Sequence, residues 1–553
     1  MLTAARPAPS PDTGINPFAR SLDYEYGSKG SGELRDVEAR SGAARDRRPG
    51  RKQVGEGAAR MSTGRRVARN AALLMVMRVL LQLIGLGSTV VLARLLMPED
   101  FGLVALAMSY LAIIEGVTAL NLYSALIRIR DNAPELYNTS WTLSVLRGGA
   151  ISLFVALSAA FVPQLMNEPR LGAVILVLAL QPLIQGLGNP RFVQYEKELD
   201  LRPLFLLSVV SKLAATAFTV AVAVIFRNYW ALVIGSLAAA VLNMIMGYVM
   251  RPYLPRPDFS RVREIFGFTA WLSGVSILST LNLRMDSFIV GGFLGTATVG
   301  LYRMGEEIAT LPTTQMVAPL TRSLYPAFAN MAAEPGKLRN NALEASAAIA
   351  AISLPATFGF AFVARDVVTL MLGEKWLEIV PLIQILTPII GLQMLAPVAG
   401  SVCMAMGRTR VVFWNEVIYC VFRLSAIFAG VLLAGFAGIV MARGMSGLLR
   451  LVLNAEMLRR TIGTGFRMIV SNAWRSLASV VAMAAMLALV QPALADTGLV
   501  LRIVSTVAIG ALVYVLAHLS LWQASGRPSG AERRMLDLVG SIRSGMTQRK
   551  EAT

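Results

Sequence analysis

Cysteine, histidine and charged side chains are all scarce in this chain of 553 residues. It contains two cysteines, one histidine and 15% charged residues, whereas a soluble domain has about 25% charged residues. Cys403, Cys420 and His518 provide no zinc-ligand spacing, no disulfide framework and no Cys/His catalytic pair. The sequence therefore gives no reason to expect a metal or another cofactor.

Apolar side chains, in contrast, make up 55% of the chain, and its mean hydropathy is +0.59. A water-soluble globule of this composition would expose larger apolar patches than soluble proteins tolerate, so we expect an integral membrane protein. The net charge is +19, but most positive residues lie between apolar runs or near the termini. Membrane topology requires that distribution, so the charge does not indicate a nucleic-acid partner.

Apolar runs of about 20 residues recur from residue 70 onward, and each is long enough to cross the hydrocarbon layer as an α-helix. We predict fourteen spans: 71–96, 103–127, 139–163, 171–190, 203–226, 229–250, 266–294, 306–330, 343–372, 379–404, 411–434, 437–457, 474–491 and 498–523. The predicted fold class is therefore an all-α integral membrane protein.

Lysine and arginine are concentrated in the even-numbered loops between these spans, as in the run Arg251, Arg256, Arg261 and Arg263. Since cytoplasmic loops carry this excess, we predict a multi-pass protein of the bacterial inner membrane with both termini in the cytoplasm. The odd-numbered loops are short and leave no room for an extramembrane catalytic domain. The pattern favours a transporter over an enzyme.

The spans fall into segments that we treat as domains. We predict an N-lobe at 70–250 with spans 1–6, and a cytoplasmic loop at 251–265. A C-lobe at 266–458 holds spans 7–12, a C-terminal pair of spans lies at 474–523, and cytoplasmic tails lie at 1–69 and 524–553.

The first tail is basic and has no apolar periodicity, which predicts disorder. The sequence from Met61 onward would make an ordinary short cytoplasmic leader before the first span. One hypothesis is that translation begins there and that residues 1–60 are an extension of the reading frame.

Two ten-residue windows at the ends of spans 1 and 7 are similar. Arg94–Leu103 and Gly292–Leu301 have Leu, Gly and Leu at equivalent positions, including Gly102 and Gly300. Spans 1 and 7 cross the membrane in the same direction, as parallel six-helix repeats require. The similarity therefore supports a repeat of the N-lobe in the C-lobe.

These windows also carry a family resemblance. ARLLMPEDFGLVALA (93–107) and LRMDSFIVGGFLGTATVGLYRMGEEIATLP (283–312) resemble the polysaccharide-transport family of the multidrug/oligosaccharidyl-lipid/polysaccharide exporter superfamily, which includes Wzx-type oligosaccharide flippases. The resemblance continues through APLTRSLYPAF (318–328) and the Gly373–Trp376 turn, and it covers residues 70–460. It is strongest in the segment around spans 7 and 8.

The resemblance implies two lobes around a central cavity that opens alternately to each side. It implies a cargo of sugar units joined through pyrophosphate to a polyprenyl lipid. A polysaccharide polymerase and glycosyltransferases of the same pathway, together with membrane lipids, would be the partners.

Charged residues near the middle of the bilayer are costly and usually face a bundle interior or water. The candidate cargo-binding residues are Lys212, Arg284, Arg423, Arg443, Arg450 and Arg78. The candidate coupling or gating residues are Asp286, Glu115, Glu416 and Asn282. Because the planar fork of arginine grips phosphate oxygens, we expect a water-filled cationic cavity, lined above all by Lys212, Arg423 and Arg450. For Arg78, Arg147, Arg322 and Glu416, ion pairs that fix helix packing explain the charge equally well.

Helical spacing predicts which of these side chains share a face. Arg443 and Arg450 are seven residues apart and share one, and so do Glu416 and Arg423. Asn282 and Asp286 are four apart and point the same way. Arg284 lies about 200° from Asp286 around the helix, so we expect it to face a neighbouring helix or the other lobe.

Three functions fit these observations to different degrees. The first is a flippase that moves a lipid-linked oligosaccharide for surface polysaccharide synthesis by alternating access, with H⁺ or Na⁺ as a possible coupling ion. The second is a peptidoglycan-precursor (lipid II) flippase or a small-molecule exporter of the same superfamily. The cation excess argues against an exporter of organic cations. It does not exclude a lipid II flippase, because lipid II also carries pyrophosphate. A membrane polysaccharide polymerase is a remote third, because no paired carboxylates suit acid–base catalysis.

Overall fold

The computed structural model describes the backbone of residues 51–129, 132–198, 200–314 and 317–527, and side chains in these ranges except 51–72, 266–276 and 314–323. The chain divides into two compact units, Met1–Arg69 and Asn70–Thr553. The predicted disorder of residues 1–50, most of the tail at 524–553 and the side chain of Arg322 lie outside the described residues.

The described residues form eighteen α-helices and no strand. The first nine are α1 Arg51–Leu95, α2 Pro98–Val117, α3 Leu122–Arg128, α4 Pro134–Ser158, α5 Val162–Leu165, α6 Arg170–Leu178, α7 Leu180–Gly186, α8 Val193–Lys197 and α9 Arg202–Phe226. The others are α10 Trp230–Met250, α11 Val262–Thr314, α12 Val317–Asn330, α13 Pro335–Met371, α14 Val380–Gln393, α15 Ala399–Ala405, α16 Thr409–Ile462, α17 Phe466–Val490 and α18 Leu499–Ala524.

Each of the fourteen predicted spans falls on one or more of these helices, so the all-α membrane fold is confirmed. Ten of the described helices are long and apolar enough to cross a membrane, or eleven if the bent pair 170–186 and 190–197 counts as one span. The number fourteen stays a prediction. In the described residues, helix α1 already includes residues 51–69, which belong to the tail that the sequence predicted as disordered.

Two helices are far longer than one bilayer crossing and are broken inside. The backbone of α16 leaves helical geometry at Ala434 and Gly435, and that of α11 does so at Gly295, where φ is +80°. At about 1.5 Å per residue, the 54 residues of α16 would exceed the hydrocarbon thickness more than twofold without this break. Each of these helices therefore contributes two segments that run in different directions.

The two repeated windows lie against each other. A Cβ atom on Gly102 would lie 1.7 Å from the carbonyl oxygen of Thr296 and 2.8 Å from the nitrogen of Gly300. A Cβ atom on Gly300 would lie 1.9 Å from the carbonyl oxygen of Pro98. Only glycine allows backbones to approach this closely, so the equivalent glycines of the two repeats form the contact between α2 and α11.

Further contacts join α1 and α2 to the segment that follows α13, beside this glycine pair. The Trp376 indole donates to the carbonyl of Ala93 at 3.0 Å, and its ring meets Phe101 edge-on at 5.4 Å. Lys375 donates to the carbonyl of Leu96 at 2.5 Å, where a cation suits the C-terminus of α1. These bonds hold the helix ends together at this end of the bundle.

A polar contact lies at the same end. The hydroxyl of Thr296 donates to the Glu168 carboxylate at 3.3 Å. Hydrogen bonds from Arg170 lower the pKa of Glu168, so this acceptor stays ionised at neutral pH.

The C-terminal helices α17 and α18 pack against α13. Arg502 donates through two nitrogens to Asp366, and the Tyr514 hydroxyl donates to the carbonyl of Ala351 at 2.8 Å. His518 is buried and stacks on Tyr514 with ring centroids 5.5 Å apart. These contacts attach α18 to α13 through specific bonds.

Candidate functional site

A buried ionic cluster lies between α11 and the two segments of α16. Arg423 donates to Asp286 and, through its other terminal nitrogen, to the side-chain oxygen of Asn282 at 3.3 Å. The Asp286 side chain is fully buried, and the Tyr302 hydroxyl also donates to it at 2.7 Å. Glu306 lies 3.5 Å from the same arginine. We call these residues, with Arg443 and Arg303, the ionic cluster.

Arg443 and Arg303 complete the cluster from two sides. Arg443 donates to Glu306 at 2.5 Å. Arg303 donates to the same carboxylate at 3.3 Å and to the hydroxyl of Ser287 at 2.8 Å. Glu306 therefore contacts three arginines, while Asp286 pairs with one.

Local sequence explains how the helices bring these groups together. Asn282 and Asp286 are one turn apart on the first segment of α11, and Tyr302 and Glu306 are one turn apart on the second. Asp286 lies nine residues before the break at Gly295 and Glu306 eleven residues after it, about 14 and 16 Å along their segments. Both carboxylates therefore lie at similar distances from the break, about half the thickness of a 30 Å hydrocarbon layer.

The ionic cluster contains more positive than negative charge. Its three arginines, Arg303, Arg423 and Arg443, face two carboxylates, Asp286 and Glu306. One positive charge is left over in a setting where an unpaired charge is expensive. Arg284 lies close enough to Arg303 and Glu306 for electrostatic interaction, and Glu307 lies close enough to Arg303, so the surplus of one positive charge is unchanged.

Hydrogen bonding inside the cluster is incomplete. Oδ1 of Asp286 and the Nε atoms of Arg423 and Arg443 are buried and have no hydrogen-bond partner among the described residues. Such groups normally find a protein or water partner. The cluster therefore keeps donor capacity that an additional anionic group could use.

Exposure rises across the cluster from its centre to one edge. The side chain of Asp286 is 0% exposed, that of Arg423 6%, that of Arg443 12% and that of Arg303 21%. Arg303 also donates to the Ser109 hydroxyl of α2 at 3.2 Å. Arg303 thus forms the accessible edge of the cluster and links the C-lobe to the N-lobe.

Arg423 contradicts one expectation of the sequence analysis, which placed it on the wall of a water-filled passage. It is 5% exposed and ion-paired. The reason is that Asp286 on the first segment of α11 and Glu306 on the second both lie against Arg423, whereas the sequence predicted residues 295–305 as a loop and span 8 from residue 306 onward.

Arg450 lies in a second ion pair, apart from the cluster. Its two terminal nitrogens donate to Glu416 at 2.9 and 2.5 Å, and its guanidinium lies 4.6 Å from the centre of the Tyr419 ring. The shared helical face of Arg443 and Arg450 therefore does not produce a shared partner. Glu416 pairs with Arg450 and Arg423 pairs with Asp286.

The other predicted site residues are spread over the N-lobe. Lys212 of α9 is on the surface and interacts electrostatically with Glu307. Arg78 of α1 is half-buried. Glu115 lies near the end of α2, close to Arg147. Arg147 donates to the backbone carbonyls of Glu115 and Thr118, both at 2.7 Å. Arg147 thus satisfies the free carbonyls at the end of α2.

The structure therefore brings together Asn282, Asp286, Arg423 and Arg443, with Arg284 close by. Sequence reasoning missed Tyr302, Arg303 and Glu306, because the first two fall in the segment predicted as a short external loop and Glu306 is the first residue of predicted span 8. The spacing of Tyr302 and Glu306, one helical turn apart, is the signal that could have identified them.

The comparisons with known proteins agree with this architecture. The chain is 26% identical over 400 residues to the lipopolysaccharide biosynthesis protein WzxC of Escherichia coli, covering 71% of this chain and 80% of that protein. It is 24% identical over 313 residues to the teichuronic acid biosynthesis protein TuaB of Bacillus subtilis, covering 56% and 65%.

A solved structure of the lipid II flippase MurJ, in an inward closed conformation, shares the fold. The TM-score is 0.66 at 13% identity, over 82% of this chain and 99% of that one. At that identity the likeness shows the fold alone. A family model described as polysaccharide biosynthesis protein matches residues 91–381, more than half of the chain, and this multi-pass membrane protein belongs to that family.

Proposed function

We propose that the protein moves a saccharide linked through pyrophosphate to a polyprenyl lipid across the bacterial inner membrane, and that the ionic cluster binds the pyrophosphate. The observation that carries the proposal is the surplus of arginine over carboxylate in the buried ionic cluster. Membership in the polysaccharide biosynthesis family and the similarity to WzxC and TuaB support this cargo class.

The geometry suits exchange of one anion for another. Arg423 and Arg443 now hold the carboxylates of Asp286 and Glu306. A pyrophosphate entering at the Arg303 edge would supply oxygens to the free Nε donors, since arginine binds phosphate through paired N–H groups. The released carboxylates would then take up a proton or a cation, which makes Asp286 and Glu306 the coupling residues that we propose.

Alternating access would follow from the lobe contacts. The N-lobe (70–250) and the C-lobe (266–458) would rock against each other along α2 and α11. The end closed by Gly102, Gly300 and Trp376 would open when the opposite end closes. Both termini would lie in the cytoplasm, and a polymerase and glycosyltransferases of the same pathway would use and supply the cargo.

Arg443→Gln tests the proposal with little disturbance of the fold, because Glu306 keeps Arg423 and Arg303 as partners. The variant removes the surplus positive charge and one charge-assisted donor. We expect surface polysaccharide to fall roughly tenfold to a hundredfold in a deletion host that carries the variant gene. Polysaccharide output per membrane-inserted protein is the measurement.

The matched control is Arg459→Gln on the same helix, since Arg459 pairs with Glu456 in an exposed position. We expect it to support normal output. Normal output from Arg443→Gln, or an equal loss from both variants, would contradict the role of the cluster.

A further inference from the structure

A cavity of about 410 Å³ lies between α7 and α10 in the N-lobe. Its polar lining comes from Gln181, Gln185, Ser236 and Asn243, and none of its nine lining residues carries a charge. Its volume falls in the range of small-molecule sites. We call it the amide crevice.

The polar groups are arranged by helical spacing. Gln181 and Gln185 are one turn apart on α7, and Ser236 and Asn243 are two turns apart on α10, so each pair shares a face. The two pairs place carboxamides and a hydroxyl on facing sides of one cavity. The helix α10 that carries Ser236 and Asn243 is otherwise strongly apolar. An amide that faces hydrocarbon without a partner is costly, so the crevice suits a polar occupant.

Hydrogen-bonding capacity in the crevice is unused. The Oε1 atom of Gln181 is buried and has no partner in the described part of the chain. The amide nitrogen of Asn243 donates to the carbonyl of Ala239 at 2.8 Å, and the hydroxyl of Ser236 donates to the carbonyl of Val233 at 2.8 Å. The oxygen of Asn243 and the whole carboxamide of Gln185 form no hydrogen bond to another described side chain.

We propose, on the basis of the proposed function, that the amide crevice holds the sugar part of the cargo while the ionic cluster holds the pyrophosphate. A carboxamide is both donor and acceptor, and a sugar hydroxyl needs both. The absence of charge among its lining residues makes the crevice a poor phosphate site. The apolar side chains of Ile184 and Met244 offer surfaces for the C–H face of a sugar ring.

The test compares the binding of defined lipids to the purified full-length protein in nanodiscs. The probes are undecaprenyl pyrophosphate and its glucosyl, galactosyl and N-acetylglucosaminyl derivatives. We expect at least one sugar to tighten binding over the bare lipid. Gln185→Met and Asn243→Leu, which keep size and remove polar atoms, should each reduce that gain severalfold, and together roughly tenfold, without changing the affinity for the bare lipid.

Two control variants are matched to these. Asn341→Leu removes an amide on α13 that makes the same bond to the carbonyl four residues earlier, at 2.9 Å. Gln523→Met removes an exposed amide at the end of α18. Both should keep the full sugar-dependent gain, and thermal melting of all five variants, the double variant included, reports whether each is folded.

The outcomes separate the two proposals. Equal affinity of the native protein for all four probes, or loss of affinity for the bare lipid in the amide variants, would overturn the sugar-binding role of the crevice. Failure of the bare lipid to bind the native protein at all would instead count against the pyrophosphate role of the ionic cluster.

Discussion

Replacing Arg423 with alanine is expected to abolish polysaccharide export and to destabilise the protein by about 3–5 kcal/mol, because it removes one partner of a buried ion pair. Asp286 would keep only the Tyr302 hydroxyl among its described contacts, with its Oδ1 already unpartnered. The stability change is measured by thermal unfolding of the purified protein. Export is measured as surface polysaccharide in a complemented deletion host.

A double variant separates folding from transport. Arg423→Met with Asp286→Leu replaces both charges by apolar groups of similar size, which is often neutral or stabilising for a buried pair. We expect stability to return to within about 1–2 kcal/mol of the native value while export stays absent. Recovery of export in this variant would mean that the pair serves packing alone.

Gly102→Val is expected to abolish export for a different reason. A Cβ atom at this position would lie 1.7 Å from the Thr296 carbonyl oxygen, so α2 and α11 would have to separate. Overpacking of this kind typically costs about 1–3 kcal/mol, and here it falls on the contact between the repeats. The closed end of the bundle could then no longer form.

Chemical cross-linking measures whether α2 and α11 still form this contact. Glu168 and Thr296 are close in the native protein, with 3.3 Å between Oε2 of Glu168 and Oγ1 of Thr296. Cysteines introduced at both positions should cross-link in the native background and fail to do so with Gly102→Val. The native Cys403 and Cys420 are buried, which keeps background reaction low. Gly149→Val is the control, since a Cβ there meets no atom within 4 Å. Efficient cross-linking and export with Gly102→Val would contradict the assignment.

The part of the site that follows from one helix was predictable from sequence. The spacing of Asn282 and Asp286 places both on one face, and in the structure both contact Arg423. The shared Gly102 and Gly300 of the two windows likewise pointed to the repeat, and the structure places them in contact.

The part that depends on packing between helices was not predictable. A helical wheel puts Arg443 and Arg450 on one face, but the partner of each is set by the helix packed against it at that depth. Arg443 meets Glu306 on α11, whereas Arg450 meets Glu416 on the facing segment of α16. Their pairing follows from tertiary contacts, which spacing alone does not encode.

The missed residues have a more specific cause. The break between the two segments of α11 is confined to the backbone of Gly295, without the proline or run of polar residues that signals a longer loop. The sequence predicted Arg303 in the loop before span 8 and Glu306 at the first residue of that span. In the structure they lie well inside a helix, because they pair with each other and Glu306 also contacts Arg423 and Arg443 of α16.

The account depends most on the claim that the ionic cluster recognises phosphate. Binding of undecaprenyl pyrophosphate and of undecaprenol, which has the same chain without phosphate, to the native protein in nanodiscs tests that claim. We predict at least tenfold tighter binding of the pyrophosphate, weakened by added salt and lost with Arg443→Gln. Equal affinity for the two lipids would contradict it.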